Sequence, residues 1–184
     1  EQGIIYCSPY NDPQVIAGQG TIALELLQQL PKLDVVYVSI GGGGLISGIG
    51  AVLKAFSPST RLVGVSARNS AELAASIRAG HSVQVTHSDT LADGCAGGVD
   101  QGSVPLPLGR EVIDELIDCT EDEIAEGIRH MAWSEKMLVE GSAGLAQAAW
   151  QADALNRTNK VSAVVLCGAN FDRDRIAPII GSMP

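Results

Sequence analysis

The run from Asp34 to Phe56, DVVYVSIGGGGLISGIGAVLKAF, constrains this chain more than any other feature. Val35, Val36, Tyr37, Val38 and Ile40 are β-branched or aromatic and read as a buried strand. Four consecutive glycines follow, and Leu45 to Phe56 then reads as a helix. A strand that empties through glycines into a helix start builds an anion site. Absent side chains let the backbone approach a ligand, and the helix end presents unpaired N–H groups with partial positive charge. The pattern points to a bound phosphate.

The rest of the sequence narrows the ligand class. With 184 residues the chain is long enough for one domain with a real hydrophobic core. Its 46% apolar content, 21 glycines and 4% aromatics suit buried parallel strands packed closely by helices. A net charge of -9 without a Lys/Arg cluster argues against nucleic acid, leaving a small metabolite as the better partner. Cys7, Cys95, Cys119 and Cys167 show no CxxC spacing, so neither a zinc site nor a disulfide framework is expected. No apolar run approaches membrane-spanning length and no signal peptide is evident, so a reduced, cytoplasmic setting without membrane contact is expected.

Strands and helices alternate along the chain. A short strand is expected at Ile4–Cys7. Asp12 and Pro13 supply an N-cap and a first-turn proline for a helix running towards Leu30, irregular early where Gly18 and Gly20 weaken it. Further strands are expected at Asp34–Ile40, Arg61–Val65 and Val161–Leu166. Helices are expected at Leu45–Phe56, Ala71–Arg78, Pro107–Ile117 and Gly141–Leu155, and after the Thr120/Glu123 capping box. The glycine-rich stretch between His81 and Val104 is too long for a plain connector and reads as a binding loop. Trp133 and Trp150 are expected between helices, and His81, His87 and His130 at the surface. The implied fold class is α/β: an open, mostly parallel twisted sheet with helices on both faces. In such sheets ligands bind beyond the carboxyl ends of the strands, so Gly41–Gly44 and Cys167–Asn170 are predicted to face one site.

Three phosphate-bearing ligands compete for the glycine loop. A nucleoside triphosphate loop needs Gly-Lys-Ser/Thr, and Ile46-Ser47-Gly48 stand there instead. A dinucleotide fingerprint fails at its third glycine, and no acidic residue ends the next strand, although Arg68 leaves an NADP reading open. One compact phosphate on consecutive backbone N–H groups is the third.

The third reading agrees with a resemblance. GGGGLISG, NDPQVIAGQGTIALELL, TLADG, VEGSAG and VVLCGAN, in that order, resemble fold-type II pyridoxal-phosphate enzymes. Within these the chain is similar to the threonine/serine dehydratase and serine racemase group, and RNSAELAASIRAG with TLADGCAGGV leans towards its hydroxyectoine-utilisation dehydratase branch. The resemblance implies an ammonia-lyase that converts a hydroxy amino acid such as threonine or serine to a 2-oxo acid and ammonia. The cofactor would be pyridoxal phosphate and the assembly a homo-oligomer. Gly41, Gly42, Gly43, Gly44 and Leu45 match the phosphate loop, Cys167 the residue facing the pyridine nitrogen, and Glu140 a carboxylate near the cofactor. Asp93 and Gly94 match the loop beside the substrate.

Two departures shape the expectation. Relatives that bind a divalent cation place carboxylates where Ser66 and Glu72 stand here, and one carboxylate is a poor site for a hard cation, so no metal is expected. The family's cofactor-bearing lysine lies in a Ser/Asn-x-Lys-x-Arg-Gly segment upstream of the glycine loop. Lys32, Lys54, Lys136 and Lys160 lack that context, so the catalytic lysine is not expected among these residues. Residues 1–184 are therefore expected to be the C-terminal part of the cofactor-binding large domain, without the lysine segment or the small domain. An amino-acid racemase and a non-catalytic phosphate-binding fragment are the alternatives.

Overall fold

The computed structural model describes residue 3 and residues 6–182. Ile4 and Ile5 of the expected first strand lie outside these residues, and Tyr6 and Cys7 have no regular structure. Helices α1 (Pro13–Gln19) and α2 (Thr21–Gln29) come first. The Asp12 carboxylate caps α1, accepting from the N–H of Gln14 at 2.7 Å and of Val15 at 3.3 Å. The single helix expected here is broken at Gly20, whose N–H turns back to Ala17 O at 3.1 Å.

Next come β1 (Val35–Ser39), α3 (Gly44–Phe56), β2 (Arg61–Ala67) and α4 (Glu72–Ala79). After a long glycine-rich segment holding one 3-10 turn at Asp93–Cys95, the chain forms α5 (Pro105–Val112), β3 (Glu115–Cys119) and α6 (Glu121–Trp133). It closes with α7 (Gly141–Ala152), α8 (Ala154–Arg157), β4 (Ser162–Val164) and α9 (Arg173–Gly181). The helix expected over Pro107–Ile117 thus stops at Val112. Leu116 and Ile117 pair with Gly64 and Val65 of β2 instead, because an edge position on the sheet outweighs local helix propensity.

All four strands run parallel in the order β3-β2-β1-β4. Alternate side chains of β1 enter opposite layers, as a doubly covered sheet requires. Val35 and Tyr37 pack with Ile124 and Ile128 of α6, Leu145 of α7 and Ile176 of α9. Val36 and Val38 pack with Ala23 of α2, Ile46, Ile49 and Leu53 of α3, Leu73 of α4 and Val112 of α5. The chain leaves β1 towards β2 on one side, and β4 joins β1 on the other. The carboxyl ends of β1 and β4 therefore flank the crevice where a parallel sheet holds its ligand.

A buried polar network sits elsewhere on the sheet. Asp153, at the end of α7, accepts from the Tyr37 hydroxyl at 2.5 Å, from Asn156 Nδ2 at 2.6 Å and from the Arg61 guanidinium. Arg61 also pairs with Glu115 of β3. Burial pushes the Asp153 carboxyl up, but the three donors outweigh it and hold it below the usual carboxylate range. The Tyr37 phenol is driven upward, first by burial and then by its bond to Asp153.

Candidate functional site

The backbone builds the centre of the site. Gly43 is the N-cap of α3 and sits at φ +88, a left-handed conformation that turns the chain sharply out of β1. With no capping side chain at Gly43, the first turn of α3 is left open. The N–H groups of Gly41, Gly42, Gly43, Gly44, Leu45 and Ile46 find no hydrogen-bond acceptor among the described residues. Gly43 and Gly44 are nonetheless buried, and Gly41, Gly42 and Leu45 are half-buried. Partly buried N–H groups without partners are costly, and a run of six is the arrangement that an anion would satisfy.

A cleft of about 290 Å³ opens over this loop. Its walls are Gly41–Leu45, Pro9, Tyr10, Gln19, Ser39, Gly94, Cys95, Glu140, Ser142 and Cys167. The two predicted turns thus face one site. Burial pushes the Cys167 thiol up from its ordinary value, with the neighbouring Ser39 hydroxyl pulling the other way. Cys95 is pushed up to about 12 by burial. Both thiols are therefore neutral at physiological pH. The Ser39 hydroxyl donates to Ser142 O at 2.6 Å, tying β1 to α7 beneath the cleft.

Glu140 is the charged residue among those walls. It precedes α7 as its N-cap but makes no side-chain capping bond. Its carboxylate instead accepts from the Asn170 N–H at 2.9 Å, and its own N–H reaches Gly168 O at 3.3 Å. Gly168 takes φ +118, and a Cβ there would lie 2.1 Å from Glu140 Oε1. Glu140 thus joins the VEG turn to the turn after β4 while lining the cleft. Gly94 reaches the same cleft, whereas Asp93 turns aside to pair with Arg175 of α9 along a neighbouring cavity of about 250 Å³. None of the four lysines is among the lining residues, and Lys54 pairs with Asp114.

Sequence reasoning missed Tyr10, Ser39, Ser142 and Cys95 as wall residues. Ser39 carried no motif, Ser142 and Cys95 lay within VEGSAG and TLADGCAGGV but were given no role there, and Tyr10 stands near the helix cap that drew attention instead. His87 is at the surface as expected but is also engaged: one ring nitrogen meets Glu72 Oε2 at 3.0 Å and the other meets Ser70 Oγ at 2.8 Å. Trp133 departs from expectation. It is 62% exposed at the end of α6, its indole N–H donating to Ile180 O.

The glycine-rich segment that carries Gly94 and Cys95 is held from α4. Glu72 is buried and accepts from the Val99 N–H at 2.7 Å, while Ser70 Oγ accepts from the Gly97 N–H at 3.2 Å. The Val99 bond, with help from His87, holds the Glu72 carboxyl below its usual range against the opposing effect of burial. This bond contributes stability that is fully present above the ordinary carboxylate value and is lost as pH falls through the lowered one. Glu72→Gln is therefore expected to cost about 1 kcal/mol at neutral pH and progressively less as pH falls through the lowered carboxyl range. Urea unfolding of both proteins across that range checks it, and a gap that does not shrink in acid contradicts it.

Known proteins share this architecture. The family model described as pyridoxal-phosphate dependent enzyme matches residues 1–168. The L-threonine ammonia-lyase of Thermotoga maritima is 38% identical over 178 residues, covering 97% of this chain and 44% of that protein. The serine racemase of Arabidopsis thaliana is 34% identical over 177 residues, covering 94% and 53%. The structure of the processed form of threonine deaminase isoform 2 from Solanum lycopersicum superposes with a TM-score of 0.89 at 30% identity, over 97% of this chain and 52% of that one. The chain spans about half the length of the curated relatives it matches.

Proposed function

Because this chain belongs to the family of pyridoxal-phosphate dependent enzymes, we propose that it forms part of the cofactor site of an ammonia-lyase acting on threonine or serine. The observation that carries the reading is the run of six partnerless N–H groups from Gly41 to Ile46, in the same cleft as the neutral thiol of Cys167. The backbone of Gly41–Leu45 would hold the phosphate, with the first turn of α3 supplying its dipole. Cys167 would meet the ring nitrogen as a neutral partner. Bound there, pyridoxal phosphate supplies an electron sink for negative charge developing on the α-carbon of an amino acid.

A protonated thiol cannot keep a proton on a ring nitrogen as a carboxylate would. Cys167 would therefore hold the ring nitrogen in a neutral hydrogen bond and make the bound cofactor a weaker electron sink. The proposal assigns the cofactor-bearing lysine to sequence outside these 184 residues, since none of the four lysines lines the cleft. A racemase is the second reading, favoured by the Arabidopsis relative. It shares the binding steps and differs in product.

The test is borohydride reduction of the full-length protein after incubation with pyridoxal phosphate, followed by peptide mapping and product assay. An adduct on a lysine beyond this chain, with 2-oxo acid and ammonia from threonine or serine, is the expected result. A D-amino acid in place of the 2-oxo acid selects the racemase. Absence of any specific adduct overturns the enzyme reading and leaves Gly41–Gly44 as a reversible phosphate site.

A further inference from the structure

We propose that Tyr10 is a positioning residue of this site, its ring backing the glycine loop and its hydroxyl, held by Asp100, coupling that loop to the segment that carries Gly94 and Cys95. The proposal rests on the phosphate-site reading above but draws on separate contacts. A Cβ on Gly42 would lie 2.3 Å from Tyr10 Cγ, and one on Gly44 would lie 2.6 Å from Tyr10 Cα. Ring and backbone of Tyr10 therefore press on the loop at two points, on the side away from any side chain of its own. Only glycine at positions 42 and 44 permits that approach.

The far end of the same side chain is fastened elsewhere. The Tyr10 hydroxyl donates to Asp100 Oδ1 at 2.9 Å, and this bond is the main cause that raises the phenol above its ordinary value. Next to it, Asn11 Oδ1 accepts from the Val104 N–H at 2.8 Å. Asp100 directly follows Val99, whose amide is fixed to the buried carboxylate of Glu72. The segment that places Gly94 and Cys95 in the cleft thus meets the glycine loop twice, directly where the Cys95 backbone abuts Gly41 and at a distance through the Tyr10 phenol. A tyrosine that merely filled space would need no hydroxyl partner, and phenylalanine would serve as well.

Two surface substitutions separate these cases in the full-length protein, since Asp100 is exposed and Tyr10→Phe keeps the ring. Amide hydrogen exchange without cofactor comes first. Tyr10→Phe is expected to speed exchange about 3–10-fold in peptides covering 97–104, and Asp100→Ala to do so in peptides covering 47–53, whose amides are the first bonded in α3, beginning with Ser47 N–H to Gly43 O. The dissociation constant for pyridoxal phosphate, measured by equilibrium dialysis, is expected to rise about 3–10-fold in each single variant and no further in the double. Factors that multiply in the double variant, or exchange changes confined to each substituted segment, overturn the coupling. An unsubstituted protein that fails to bind pyridoxal phosphate overturns the reading of the cleft, and the exchange arm then decides the coupling alone.

Discussion

Valine at position 43 is expected to empty the cleft of cofactor and to lower folding stability by about 2–5 kcal/mol. Two separate causes add. Gly43 occupies φ +88, where a β-branched residue is strained by about 1–2 kcal/mol. A Cβ there would also lie 2.3 Å from Leu73 Cδ2 and 2.8 Å from Pro105 Cβ, and such overpacking costs about 1–3 kcal/mol. Relief of either strain must move the N-cap of α3, and with it the N–H groups that define the cradle. Urea unfolding reads the first effect, and the cofactor absorbance left after dialysis reads the second. Gly43→Ala is the milder comparator. It should retain more of the fold while still losing cofactor, which separates the cradle from the core. A valine variant that retains cofactor with unchanged affinity removes the phosphate from this loop.

Asp153→Ala is expected to cost about 3 kcal/mol, and to lower the midpoint of thermal unfolding by about 6–12 °C. The carboxylate is 3% exposed and is the common acceptor for Tyr37, Arg61 and Asn156. Its removal leaves the O–H of a fully buried phenol without an acceptor, though Arg61 still donates to the phenol oxygen at 3.4 Å. Arg61 retains Glu115, so the loss falls at the low end for a broken buried ion pair. The net lowering of the Asp153 carboxyl means that its contribution is whole above the ordinary carboxylate value and vanishes as pH falls through the lowered one. The stability gap between the two proteins should therefore close in acid. Asp153→Asn keeps an acceptor for the phenol and should fall between them. Calorimetry of the three proteins decides the point, and equal midpoints at neutral pH would show that the network contributes nothing.

Legibility in the sequence followed the range of the interaction. The Asp12 cap, the proline after it and the Thr120/Glu123 capping box were readable because each acts within four residues, and all three are in place. The strand–glycine–helix unit was readable for the same reason. Strand β3 was not, because residues Glu115 to Cys119 acquire their conformation from β2, some fifty residues earlier. Helix α9 was missed altogether; Pro178 lies inside it and discourages a helical reading. Of the site residues, those found lay within glycine-bearing motifs, although Cys95 and Ser142 in the same motifs were missed. Tyr10 and Ser39 lacked such a motif, and the pairing of Tyr10 with Asp100 spans ninety positions. The engagement of Asp93 by Arg175 was equally invisible, because α9 supplies the guanidinium.

A phosphate held at Gly41–Ile46, as proposed, would be gripped by backbone alone. Its donors are peptide amides, and no lysine, arginine or histidine is among the cleft residues. Peptide amides have no proton to give up in the physiological range, so alkaline conditions cannot discharge the host. For the proposed phosphate, the donors' response to acidity is flat, and the guest itself gains its second negative charge near pH 6. Such a receptor recognises an anion by where its oxygens sit rather than by how much charge it brings.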